Sequence, residues 1–315
     1  VSFNQLTELP TAFSHCSKLI EIRASENAIA KLLNLLDPSS TLCSSLTSLT
    51  LSSNALEEIP IQLSSLRMLR NLNLSKNKIS KIDAGVFARM NNLDELNLSS
   101  NSITQLPSQD FLGLRKLATV DLSRNHLAEL PPFGAGLKEF HAASNKFTRF
   151  PDALCIADPG SCHKTLQVLD VRDNAITELP DSIAELRCLT RLDLTNNSVS
   201  GLNPALALIT PLICVSLAGN PLKKIRVGLL DANGNGGATL KEYLKTRLPT
   251  PTTIAAPTSS TPRTQANSTS SSATSVVAAA AAAATAIEVP VSVSKLEYVK
   301  KKLTAVPEEV FVAAS

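Results

Sequence analysis

The sequence has no tryptophan, and aromatic residues make up only 3% of it. A core drawn from 43% hydrophobic residues with so few rings must be filled by aliphatic side chains, so leucine has to fill it by repetition. Neither charge sign is in marked excess. Thirty basic and 27 acidic residues leave a net +3, too balanced to support nucleic-acid binding from composition. The six cysteines are scattered without paired spacing, which implies reduced thiols and a cytoplasmic location. The longest apolar run, Val276 to Ala286, is too short and alanine-rich to cross a bilayer, so no membrane insertion is expected. No leader of charged then apolar residues is visible. The chain begins at Val1 rather than Met, so the natural N-terminus is expected to lie further upstream. The four histidines (His15, His126, His141, His163) fall in no nucleophile–base–orienter signature, and glycine-rich phosphate loops are missing. These gaps point away from an enzyme, a cofactor or a small-molecule substrate.

What is present is a repeat. The block LTSLTLSSNALEEIP (residues 46–60) returns as LRNLNLSKNKISKI, LDELNLSSNSITQLP, LATVDLSRNHLAELP, LQVLDVRDNAITELP and LTRLDLTNNSVSGL. Asparagine anchors each copy, at Asn4, Asn27, Asn54, Asn77, Asn101, Asn125, Asn145, Asn174, Asn197 and Asn220. Their spacings are 23, 27, 23, 24, 24, 20, 29, 23 and 23 residues, a period that signals stacked structural units. In the LxL of each copy, two side chains two residues apart leave a strand on the same side, as Leu72 and Leu74 do. The Asn then turns the chain inward, and a stack of buried amides must bond to neighbouring turns, forming a ladder from Asn27 to Asn220. Pairs such as Ile103 and Leu106 plug the core, and Pro107 ends the extended segment. One copy alone cannot bury its apolar face, so each must stack on the next.

This pattern resembles the leucine-rich repeat family, LxxLxLxxNxLxxLP. The resemblance implies an α/β solenoid, a right-handed horseshoe with a parallel sheet on its concave side and short helices or turns on its convex side. It implies protein–protein interaction as the function, in an intracellular signalling scaffold or adaptor, because the LPxxIxxLxxL form of LPDSIAELRCL is similar to intracellular arrays of that kind. An extracellular recognition ectodomain, or a sensor array carried by an enzyme whose catalytic domain lies elsewhere, are the alternative readings.

The connecting segments IPIQLSSLRML and LPDSIAELRCL have apolar residues at helical spacing, whereas two others place Phe87 and Phe111 there. The 20-residue unit has lost most of its connecting segment, and the 29-residue unit inserts CIADPGSCHK. Four regions follow: a repeat array over 1–226, a capping loop and helix over 227–248, a disordered Pro/Ser/Thr/Ala linker over 249–294, and the start of a second repeat block over 295–315. The cap should place Leu240, Leu244 and Leu248 on one helical face, and in the last segment Lys301 stands at the asparagine position.

Candidate sites are few. The residues four before each Asn should project from the concave strands: Arg23, Thr50, Asn73, Asn97, Asp121, His141, Asp170, Asp193 and Ser216, with Arg172 two positions beyond Asp170. Such an acidic, small-polar groove suits a basic or polar protein segment; the plainer reading is a solvated strand face. The sequons at Asn73 and Asn97 would place glycans on that face, which again favours a cytoplasmic protein. Asp231, Asn233, Asn235 and Glu242 in DANGNGGATLKE match a calcium-loop pattern, but with two charged ligands and no second copy a glycine-rich turn is the plainer account. Cys155, Cys162 and His163 share one inserted loop but lack CxxC spacing, so a disulfide or plain thiols are expected there rather than a metal. The asparagines should carry stability and the acidic residues binding. Asn101→Ala is expected to lower the melting temperature, whereas Asp170→Lys should change binding alone; equal damage in a thermal melt would refute that division.

Overall fold

In the computed structural model a strand of three residues is centred on the first apolar residue of each LxL-type motif: β1 (Glu21–Arg23), β2 (Ser48–Thr50), β3 (Asn71–Asn73), β4 (Glu95–Asn97), β5 (Thr119–Asp121), β6 (Glu139–His141), β7 (Val168–Asp170), β8 (Arg191–Asp193) and β9 (Cys214–Ser216). They pair in sequence order, all parallel, and β10 (Asn235–Gly236) closes the sheet antiparallel to β9. Parallel neighbours need a long crossover, and here one turn of the solenoid supplies it. The middle residue of each strand faces inward; Leu49, Leu72, Leu96, Leu169 and Leu192 are buried, each contributing roughly 1.5–3 kcal/mol. The structure describes residues 1–32, 40–223, 225, 229–230 and 235–248, all within one compact unit. The linker and second-block expectations for 249–294 and 295–315 fall outside the described residues.

Asparagine joins each turn to the one before. The Asn101 carbonyl accepts the Ile79 N–H at 3.1 Å, while its amide donates to Leu74 O at 3.0 Å in the preceding turn and to Leu98 O at 2.9 Å in its own. Asn54, Asn77, Asn125, Asn145, Asn174, Asn197 and Asn220 repeat the same three bonds. At the front, Asn27 accepts the Leu6 N–H and donates to Val1 O and Ala24 O. Drawing its own chain's carbonyls together forces the residue before each asparagine left-handed: Ser53, Ser100, Arg124 and Asp173 have φ between 55° and 57°, and Gly219 stands at 74°.

The connecting segments are 3₁₀ turns rather than α-helices. Thr11–His15, Ile61–Ser65 and Asp181–Glu185 each follow a proline, and each sends one apolar residue inward, Phe13, Leu63 and Ile183. Proline presets the backbone entering the turn, and the tight turn lets the chain return within one strand spacing. The phenylalanine-type segments have no helix. Instead Phe87, Phe111, Phe133 and Phe140 stack in a file with ring centroids 5.3, 5.0 and 5.1 Å apart. Beneath that file the buried Asp110 carboxylate accepts the Gly85 and Phe87 N–H groups at 2.9–3.0 Å, serving donors that no helix satisfies.

The short and long units compensate each other. Gly134 bridges Ser161 antiparallel and the Cys162 N–H reaches Phe133 O at 3.1 Å, so the insertion of one unit fills the space its shortened neighbour leaves. The shortened turn lies so close to the one before that a Cβ at Gly136 would collide with the Arg115 carbonyl. At the far end the helix α1 (Ala238–Lys245) packs on the 3₁₀ turn Pro204–Leu208 through buried Leu240 and Leu244, with Leu248 half-buried. Lys241 Nζ donates to Ile209 O, Thr210 O and Leu212 O at 2.7–3.2 Å, serving the carbonyls where that last turn ends, and burial lowers its pKa.

Gly136→Ala is expected to destabilise the array by about 1–3 kcal/mol in a urea titration. Gly113→Ala, which has nothing within 4 Å of the added methyl, should stay near wild type. Equal midpoints for the two variants would show that the shortened turn can relax.

Candidate binding face

The strand register sets the outward face. Pairing β1 to β9 aligns Arg23, Thr50, Asn73, Asn97, Asp121, His141, Asp170, Asp193 and Ser216 in one row across neighbouring strands, about 4.8 Å apart. A second outward row is formed by the first residue of each strand, among them Glu21, Ser48, Asn71, Glu95, Thr119, Glu139 and Arg191. Sequence reasoning missed this row. The alternation that assigns the third residue outward assigns the first outward as well.

Much of the third-residue row also serves its own chain. Asn73 Oδ1 accepts from Ser75 N at 3.0 Å and Ser75 Oγ at 2.7 Å, and Asn97 does the same for Ser99. Asp121, Asp170 and Asp193 each accept the backbone N–H two residues on, at 2.9, 3.2 and 2.9 Å. These are Asx turns, which steer the chain out of the strand. They also determine which atom remains to face a partner. An Asn spends its oxygen and keeps an N–H donor, whereas an Asp spends one oxygen and keeps a charged acceptor. The row therefore grades from neutral donors on β3 and β4 to acidic acceptors on β5, β7 and β8, with His141 between them on β6, and Asn97 Nδ2 bridges the two ends at 3.4 Å from Asp121 Oδ2. Asp170→Lys would break a turn bond as well as change charge, so Asp→Asn is the cleaner probe of binding.

The sequence-derived positions fall into two groups. Arg23, Asn73 and Asn97 line a hollow of about 770 Å³ over β1–β4, with Thr50, Asn71 and Glu95. Asp121, His141, Asp170 and Asp193 lie on the adjoining strands, with Arg172 two residues past the end of β7. His141 Nδ1 is 3.9 Å from Asp170 Oδ2 and its Nε2 is 3.9 Å from Glu139 Oε2, ionic rather than hydrogen-bonding distances. Asp170, followed by Asp121 and Glu139, raises the imidazole above its ordinary 6.5 despite the opposing effect of burial. Burial pushes the Asp170 carboxyl up, but His141, the Arg172 N–H and the Arg172 guanidinium at 3.4 Å outweigh it and hold the carboxyl below its ordinary 3.8.

The other candidates sit elsewhere. Cys155 and Cys162 are free, buried thiols, and burial pushes both up to about 12, so neither is a ready nucleophile. His163 is buried beside them with Nδ1 2.8 Å from Ser161 Oγ, and burial lowers its pKa. Among the described residues no group of three or more His, Cys, Asp or Glu could hold a metal ion. Of the calcium-loop residues, Asp231 and Asn233 lie outside the described residues, Asn235 pairs its backbone with Ser216, and Glu242 contacts Lys245 Nζ at 2.6 Å.

Comparison with known proteins adds three findings. A family model described as leucine rich repeat matches residues 67–127, from just before β3 to beyond β5. A leucine-rich-repeat protein of Leptospira interrogans superposes with a TM-score of 0.58 at 25% identity, over 71% of this chain and 61% of its own. The plant peptide hormone receptor RGFR1, solved in complex with RGF2, superposes with a TM-score of 0.55 at 27% identity, over 69% of this chain and 35% of its own. The chain thus spans less than two thirds of the length of either structure.

Because its folded pKa is raised, His141 contributes stability that is complete below about 6.5 and is lost as pH rises through the folded value. The lowered Asp170 contributes above its ordinary 3.8 and loses this as pH falls through its folded value. An NMR titration of His141 should give a midpoint above 6.5 that falls in Asp170→Asn; a midpoint unmoved by that substitution would show the two groups to be independent.

Proposed function

Since the chain belongs to the leucine-rich repeat superfamily, we propose that it is a protein–protein interaction module that seats a partner on the outward face of its sheet, acting as a cytoplasmic scaffold or adaptor in signalling. The observation that carries the reading is the graded row from Asn73 to Asp193, held at strand spacing by hydrogen bonds internal to the chain. A frame whose turns are tied by three bonds per asparagine loses little entropy on binding, so its surface contacts are retained as affinity. The partner is a polypeptide segment that accepts hydrogen bonds over β3–β4 and carries Lys or Arg opposite the carboxylates of β5, β7 and β8. That RGFR1 was solved in complex with RGF2 supports reading this architecture as a partner-binding one. Scattered cysteines and sequons placed on the sheet face support the cytoplasmic location. Binding of this kind needs no catalytic step, cofactor, nucleic acid or small-molecule substrate.

The test is affinity purification with mass spectrometry, comparing wild type with the triple variant Asp121→Asn, Asp170→Asn, Asp193→Asn. Asparagine keeps each Asx turn, so the variant should still melt cooperatively, lowered only by the His141 and Arg172 pairs that Asp170 gives up, while a defined partner set disappears. Recovery of the same partners by both proteins would show that binding does not run through this face.

A further inference from the structure

The sheet face largely neutralises its own cations: Arg23 Nε lies 2.6 Å from Glu21 and Arg172 Nε 3.4 Å from Asp170. The edge of the array that leads into the strands is different. The residue just before each strand forms a backbone ladder, with Arg70 N–H on Thr47 O, Asp94 N–H on Arg70 O, Ala118 N–H on Asp94 O and Lys138 N–H on Ala118 O, all at 2.8–2.9 Å. Slightly earlier in each turn, Asn92 Nδ2 reaches Arg67 O at 2.9 Å and Lys116 Nζ reaches Asn92 Oδ1 at 2.7 Å, stitching three successive turns along the same edge. Four turns thereby bring together Arg67, Arg70, Arg89, Arg115, Lys116 and Lys138, all exposed, with Asp94 as the carboxylate in that ladder. None of the six makes an ion pair among the described residues. A hollow of about 560 Å³ opens in this edge, where Arg67 and Arg89 share the lining with Gln62, Ser64, Ser65 and Met68. The Ser65 hydroxyl is already spent on Gln62 O at 2.7 Å, and the two guanidiniums are the charged groups in a lining that otherwise holds neutral residues.

We propose that this edge is a second docking surface, which takes an acidic segment of a protein partner and anchors one carboxylate between Arg67 and Arg89. Planar, weakly hydrated guanidiniums suit carboxylates, and uncompensated charge on a rigid frame lends itself to electrostatic recognition. The exposed Met68 lines the same hollow as Arg67 and Arg89 and gives apolar contact to a residue between the acids. That mixture fits a polypeptide. A single-stranded nucleic acid would need aromatic rings to stack on, and the exposed large hydrophobics here are aliphatic. From β3 to β6 the edge runs about 14 Å, the reach of four or five extended residues. No residue is shared with the sheet face, so this surface and the proposed function stand or fall separately.

The test uses fluorescence anisotropy with a fluorescein-labelled peptide of about ten residues, mostly glutamate with two leucines, against the full chain. Wild type should bind it with an affinity that falls as salt rises, and should not bind the same peptide with glutamine for glutamate. Arg67→Ala with Arg89→Ala should weaken binding at least tenfold. Lys116→Glu with Lys138→Glu, distant from the hollow, should weaken it severalfold and guards against a folding defect in the first pair. Equal binding of the glutamine peptide overturns the proposal, as does undiminished binding by both double variants. Tighter binding of phosphatidylserine vesicles or oligo-dT through Arg67 and Arg89 also overturns it, by assigning the edge to a different class of partner.

Discussion

The structure depends on one side chain, the asparagine that closes each turn. Strands of three residues hold too few backbone bonds to keep neighbouring turns in place, and leucine packing, being non-directional, does not by itself set how one turn lies on the next. The amide does both. Its oxygen takes an N–H from the preceding turn, and its two N–H groups take carbonyls from both turns, so successive units cannot slip without leaving buried polar atoms unpaired. The left-handed residue that precedes each asparagine is a cost of this closure, met at serine, arginine and aspartate alike.

With the frame tied internally, surface side chains are free to differ between sides. The outward sheet face mixes pinned amides with acids, some of them ion-paired, while the edge leading into β3–β6 concentrates cations that make no ion pair among the described residues. A net charge of +3 conceals both. The same rigidity accounts for the irregular units: because each turn must land its asparagine on the last, a shortened unit is tolerated only where glycine allows close backbone approach and a neighbouring insertion closes the gap.

Much of this was written in the sequence, since a repeat states the same instruction many times. Period, strand positions, inward leucines and the ladder asparagines follow from alternation and spacing alone, and so does the outward row from Arg23 to Ser216. Other features depended on contacts between turns. Asp110 looks like a polar interruption in SQDFLGL until its carboxylate is seen to serve Gly85 and Phe87 one turn earlier. Lys241 looks like an ordinary helix lysine until it meets three carbonyls of the last turn. The connecting segments, helical by apolar spacing, are 3₁₀ turns of five residues that each send a single apolar side chain inward, Leu63 and Ile183 among them.

The sequence by itself determined the architecture, for periodic burial of leucine and asparagine is a local pattern that admits one way of stacking. The tertiary structure decided how the surface can be used. Which oxygen of Asp170 is spent on its own turn, how His141 acquires a raised pKa from three carboxylates on three strands, and which arginines lack a counter-charge all depend on residues brought together from different turns, distances that spacing along one chain does not specify.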